Sequence, residues 1–260
     1  MELNVQITGT GTPLIWGHGL MASMAADDMV SWIKWNQLTD VINLVRYDAR
    51  GHGQSGMSES LEDYRWSALA DDMLAVADQV GFDQFIAGGQ SMGCGTSIYA
   101  ALTAPERIKA LVLMNPPTAW ETRAAQSTAY GQMADLIDAK GIDFLIGMMQ
   151  QQSTIGPAWQ AEAYPNMMEG FGEFMKTHDP KKLVTTLRGA QLANLPPRED
   201  LEAIQIPTLI LAWTEDPGHP ISTAEEIKQR LPNSHLLIAH NAAEVFKWTE
   251  EIRQFVTDLS

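Results

Sequence analysis

Short apolar runs separated by longer amphipathic stretches recur along this 260-residue chain, and that alternation constrains its fold more than any other feature. The runs at 13–16, 41–47, 84–88, 110–114, 207–213 and 235–239 are bounded by turn residues and read as buried strands. The stretches at 67–80, 94–102, 223–231 and 250–256 read as helices, the first with apolar residues near helical spacing at Leu69, Met73, Leu74 and Val76. Gly81 follows at the place where a helix commonly stops. Strands alternating with helices predict an α/β fold, a mostly parallel sheet flanked by helices.

The strand signal disappears from about 118 to 194. This stretch is rich in Met, Gln, Ala and aromatics, including Met148-Met149 and Met167-Met168, and its periodicity is helical. After Leu195-Pro196-Pro197 the alternation resumes. The expected organisation is therefore a core at 1–118 and 196–260 with an inserted helical cap at 119–195. A chain of this length fits one large domain with an insertion better than two independent domains.

The sequence Gly89-Gln90-Ser91-Met92-Gly93 stands between the strand at 84–88 and the small-residue helix at 94–102. Alone it is a weak signal; between strand and helix it fits a nucleophile elbow, a strained turn that needs small neighbours and exposes the serine hydroxyl. The helix N-terminus beneath it favours developing negative charge. Met92 supplies one backbone N–H for an oxyanion, and the loop Gly17-His18-Gly19-Leu20-Met21 supplies a second, for which Leu20 is the choice.

A formal charge of −15 disfavours nucleic acid and anionic membrane surfaces as partners. The first residues show neither a basic n-region nor an apolar h-region, and no apolar run is long enough to span a bilayer, so a soluble cytoplasmic protein is expected. The lone Cys94 allows neither a disulfide framework nor a four-cysteine zinc site and reads as a small helix-packing residue.

His18-Gly19, Tyr47-Asp48-Ala49-Arg50-Gly51-His52-Gly53-Gln54-Ser55, the Ser91 motif and Ala104-Pro105-Glu106-Arg107-Ile108 leading into Leu111-Val112-Leu113 together resemble the α/β-hydrolase superfamily. Within it, the chain looks most like the branch of 3-oxoadipate enol-lactonases and small carboxylesterases. The resemblance is strong over 12–118, follows the strand pattern of 205–260 and is poor across the cap. It implies a serine hydrolase with a Ser–His–acid triad and neither metal nor organic cofactor.

The family's place for the acid, after the strand ending at Trp213, is filled by Asp216. The family's usual place for the histidine is not filled by one: Asn241-Ala242-Ala243-Glu244 lacks the Gly-His pair, and the usual spacing from Asp216 falls on Glu244. His240 and His219 are the two substitutes, and His219, on the loop that normally holds the acid, is favoured. With His219 as base, Glu244 on the next loop orients it, the usual arrangement with the two loops exchanged; Asp216 then supports it or is itself the orienting acid. Triads are defined by geometry rather than chain order. In the blander reading His219 is an exposed turn residue, His240 a loop residue, and Glu244 an N-terminal charge on the last helix.

His18 and His52 are expected to brace the site, with His18 also a candidate substrate contact. His235 and His178 read as surface or satisfied histidines, and neutral Asn115 stands where some relatives carry the acid. The cap residues Trp120 and Met148, among other methionines and aromatics, are expected to line an apolar pocket over the carboxyl ends of the strands. Arg123 and Arg188 are candidates for a substrate carboxylate. The expected reaction is hydrolysis of a carboxylic ester or lactone of a small, largely apolar substrate through an acyl-enzyme. The alternatives are C–C hydrolysis of a diketone-like substrate and a non-catalytic ligand-binding member of the fold. A homo-oligomer is left open.

Overall fold

The computed structural model describes residues 1–151 and 156–259. Its seven strands form a single sheet in the order β1-β3-β2-β4-β5-β6-β7. The strands are β1 (Val5–Gly9), β2 (Thr12–Gly17), β3 (Ile42–Tyr47), β4 (Phe85–Gln90), β5 (Ile108–Met114), β6 (Thr208–Trp213) and β7 (Ser234–Ala239). All neighbours pair in parallel except β1, which runs antiparallel to β3 along the edge. Six of these strands coincide with the apolar runs. The seventh, β1, was not expected, because its side chains are mostly exposed and it carries no apolar run.

Each parallel strand splits its side chains between two layers. Leu111 and Leu113 face a core shared with α2 (Trp66–Val80), α3 (Met92–Thr103) and α10 (Ile221–Arg230). Ala110, Val112 and Met114 face a second core closed by α12 (Trp248–Asp258), with Trp16, Trp213 and Trp248 in the same layer. Strands buried on both faces read as continuous apolar runs, which is why they were legible. α2 ends at Gly81 in the left-handed conformation, as its position predicts. The short helices α1 (Met24–Met29) and α11 (Ala242–Val245) were not expected, each being too brief for a periodic signal.

Between β5 and β6 the described residues form helices and no strand: α4 (Arg123–Lys140), α5 (Ile142–Met149), α6 (Trp159–Ala163), α7 (Met167–Lys176), α8 (Pro180–Ala190) and α9 (Arg198–Leu201). α4, α5, α7 and α8 share their own apolar cluster, against which Leu20 and Met21 of the core also pack. Arg123 clasps the insertion: 4% exposed, it donates from Nε to Ala193 O and from Nη2 to Ala190 O, both at 2.7 Å. Its guanidinium thus satisfies carbonyls left open at the end of α8 while lying over the Trp66 ring at 4.6 Å. Among the described residues, no helix is long and apolar enough to cross a membrane.

Candidate active site

Parallel register aligns the carboxyl ends of the central strands, with Gly17 opposite Gly89 and Gln90 opposite Met114. The chain leaves β4 at Gln90 and enters α3 at Met92, so Ser91 alone forms the turn, at φ 53° and ψ −109°. That left-handed backbone in a non-glycine residue stores strain, and such strain is characteristic of functional turns. Ser91 N–H donates to Met114 O at 3.0 Å, which pins the turn to β5. Beneath it, Cys94 is fully buried with Sγ 3.1 Å from the carbonyls of Gly89 and Met114, in keeping with a packing role.

As the first residue of α3, Met92 has an N–H outside the helix's own hydrogen-bond ladder. The loop after β2 approaches from the other side: a Cβ on Gly19 would lie 3.6 Å from Ser91 Cβ. His18 fixes this loop. Its Nε2 accepts from Ala49 N at 2.9 Å, so the proton resides on Nδ1, which donates to Gly19 O at 2.7 Å. Ala22 N–H donates to the same carbonyl. In a trans peptide the Leu20 N–H points opposite that oxygen. Burial pulls the His18 pKa down and keeps the ring neutral. With both nitrogens engaged and 2% exposure, His18 is a brace with no free nitrogen for a substrate, and His52 stacks edge-on against it at 4.9 Å.

One strand intervenes between the Ser91 turn and the loop after β6, a separation of roughly 10 Å between strand ends. That loop holds Asp216 and His219 together: His219 Nδ1 lies 2.8 Å from Asp216 Oδ2. Trp213 Nε1 donates to the same oxygen at 2.8 Å, and Gly218 N–H donates to Oδ1 at 3.0 Å. Burial pushes the Asp216 pKa up, but the hydrogen bond and charge of His219, with the bonds from Trp213 and Gly218, outweigh it and hold the carboxyl below its usual range. The His219 side chain stays 23% exposed against 6% for Asp216, so the ring emerges from the loop while its anchor is enclosed. Thr118 N–H donates to Gly218 O at 3.2 Å, tying this loop to the segment after β5.

The structure does not bring Glu244 to His219. Its Oε2 accepts from His240 N–H at 2.7 Å and its Oε1 from Asn241 Nδ2 at 3.0 Å, while Asn241 Oδ1 caps the Glu244 N–H. The carboxylate closes the start of α11, and His240 is exposed beside it. Among the described residues Ser91 Oγ bonds neither histidine; catalytic hydrogen bonds in unliganded sites are often long and tighten with substrate. Asn115 is 1% exposed at φ 50°, its Oδ1 accepting from Trp213 N–H at 3.2 Å.

The expected pocket residues separate. Trp120 is half-buried, its indole N–H donating to Pro196 O at 2.9 Å and its ring under Arg198. Met148 is 49% exposed on α5, facing solvent. Arg188 pairs with Asp135 and Asp138 at the surface. A cleft of about 790 Å³ is lined by Asn4, Gln6, Asp48, His178 and Lys182 among others, and Ser91 is not part of its lining. The described residues contain no group of three or more His, Cys, Asp or Glu placed to hold a metal ion. What sequence reasoning missed is Trp213 as a partner of Asp216; it read only as the last apolar residue of a strand.

Known proteins share this architecture. The chain is 25% identical over 265 residues to the AB hydrolase superfamily protein YisY of Bacillus subtilis, covering 100% of this chain and 96% of that one. It is 25% identical over 199 residues to 3-oxoadipate enol-lactonase 2 of Acinetobacter baylyi, covering 74% and 68% respectively. Its fold matches a thermophilic esterase from Thermogutta terrifontis with a TM-score of 0.80 at 20% identity, over 99% of this chain and 93% of that one. The alpha/beta hydrolase fold family itself matches residues 12–250, so this chain belongs to that family.

Proposed function

We propose that this protein is a serine hydrolase that cleaves a carboxylic ester or lactone of a small, largely apolar substrate through an acyl-enzyme. Ser91 is the nucleophile, His219 the base and later the acid, Asp216 the orienting carboxylate. The N–H groups of Leu20 and Met92 receive the oxyanion, and residues 119–195 cap the site. The observation that carries this reading is the Asp216–His219 hydrogen bond on the loop one strand away from the strained Ser91 turn. A carboxylate on Nδ1 fixes the tautomer that leaves Nε2 free to take the serine proton. The acyl carbon is attacked by Ser91 Oγ while the proton passes to His219; the alcohol leaves with that proton, and water releases the acid.

Mass-spectrometric labelling with a fluorophosphonate tests it. Wild type is expected to label at Ser91, Ser91→Ala to remove the label, and His219→Ala to slow it by roughly 10²–10⁴-fold. His240→Ala is expected to label normally. If His240→Ala alone abolishes labelling, the base lies on the loop after β7 instead. The missing bond between Ser91 Oγ and either histidine favours a second reading, a ligand-binding protein that kept the elbow; folded wild type that never labels supports it and ends the first.

A further inference from the structure

Trp213 occupies the end of β6, where its backbone N–H is held by Asn115 Oδ1 at 3.2 Å and its indole N–H by Asp216 Oδ2 at 2.8 Å. The same carboxylate oxygen meets His219 Nδ1 at 2.8 Å. A continuous chain of bonds therefore runs from the segment that pins the Ser91 turn, through Asn115 and Trp213, to Asp216 and His219. The Trp213 ring cannot swing away from this duty. It is 3% exposed, stacked on Trp248 at 5.9 Å and 9°, and edge-on to Trp32 at 5.6 Å and Trp159 at 5.7 Å.

We propose that Trp213 is a positioning residue of the active site, whose indole N–H holds Asp216 ionised and aims its shared oxygen at His219. The proposal rests on the reading of Asp216 and His219 as catalytic. The chemical logic is that a 6% exposed carboxylate has lost water as a hydrogen-bond donor and needs protein donors to stay charged. Gly218 N–H serves Oδ1, and on Oδ2, the oxygen that faces His219, Trp213 adds a donor that stays in place wherever the His219 proton moves. An indole N–H never titrates and never accepts, so it supports the anion at every pH without competing for the His219 proton. Trp159, on α6, packs edge-on against Trp213, so this support also adjoins the helical insertion.

The test uses the full chain and reads the carboxylate directly. In wild type, the NMR resonance of the Trp213 indole proton should move with pH at the same midpoint as the Asp216 side-chain carbon. In Trp213→Phe, which keeps an aromatic ring against Trp248, the Asp216 midpoint should rise by roughly half a unit or more. An indole resonance that stays flat through the Asp216 midpoint overturns the proposal, and it needs no variant to fold. So does a Trp213→Phe protein with an unchanged Asp216 midpoint. Failure of wild type to label at all removes the hydrolase reading instead, while the two NMR readouts still decide whether Trp213 holds Asp216.

Discussion

Gly93, in the first turn of α3, lies so close to Gly17 at the end of β2 that a Cβ on Gly93 would stand 2.1 Å from the Gly17 carbonyl oxygen. The obstructing atom is backbone in a central strand and has no rotamer to escape into. The helix that follows Ser91 and the strand leading to the Leu20 loop thus meet closely at these two glycines. Gly93→Ala should push α3 off β2, lowering stability by more than about 3 kcal/mol and abolishing labelling at Ser91. A urea unfolding midpoint within error of wild type would show that the contact relaxes freely.

Arg123 is a buried cation facing carbonyls and aromatic rings, with no acidic partner among the described residues. Arg123→Lys keeps the charge but loses the planar fork that spans Ala190 O and Ala193 O, so it should cost about 2–4 kcal/mol. Amide hydrogen exchange should quicken at the end of α8. Equal protection in both proteins would sink the clasp.

Asp27 is partly buried on a small cavity of about 20 Å³, among Trp16, Trp32, Trp35 and Gln90. Burial, helped by the charges of Asp28 and Asp48 and opposed by Arg46, pushes its pKa from 3.8 to about 7. Its folded pKa is thus raised above the unfolded one. The native state holds a proton that the unfolded chain releases, so stability falls as pH rises from about 4 to 7, and the whole loss is present above that window. Asp27→Asn removes the ionisation and should be more stable than wild type at pH 8 by about 1–3 kcal/mol, with the gap closing by pH 4. Thermal unfolding across that range checks it, and a gap independent of pH contradicts it.

Glu244→Gln separates a helix cap from a catalytic acid. The carboxylate is held below its usual pKa range by the His240 backbone N–H and Asn241. A glutamine should loosen the start of α11 and slightly lower the unfolding temperature, while changing the labelling rate at Ser91 by less than about twofold. A large drop in labelling with the fold intact would return Glu244 to the active site.

Several elements were legible because a local signal and a tertiary requirement coincide in them. The strand at 84–90, the Gly-x-Ser-x-Gly turn and the helix behind it are contiguous, so sterics and hydropathy in a short window specify them. The expected strand at 110–114 and helix at 67–80 were placed within a few residues of β5 and α2. Edge strand β1 was not legible: its pairing with β3 is a long-range backbone event, and its residues 5–9 carry little buried side chain.

The sequence by itself determined the alternating architecture, the helical insertion and the serine turn, since each follows from periodicity or from residues adjacent in the chain. It left open which histidine and which acid belong together. Asp216 and His219 are three residues apart, yet Glu244 on the next loop was the first expectation for the orienting acid; only the folded loop, closed by Trp213 and Gly218 on one carboxylate, brings Asp216 and His219 into contact. The role of Trp213 was likewise decided in three dimensions. A hydrogen bond from a strand end into a neighbouring loop depends on side-chain direction and enclosure, and neither is written in the order of residues.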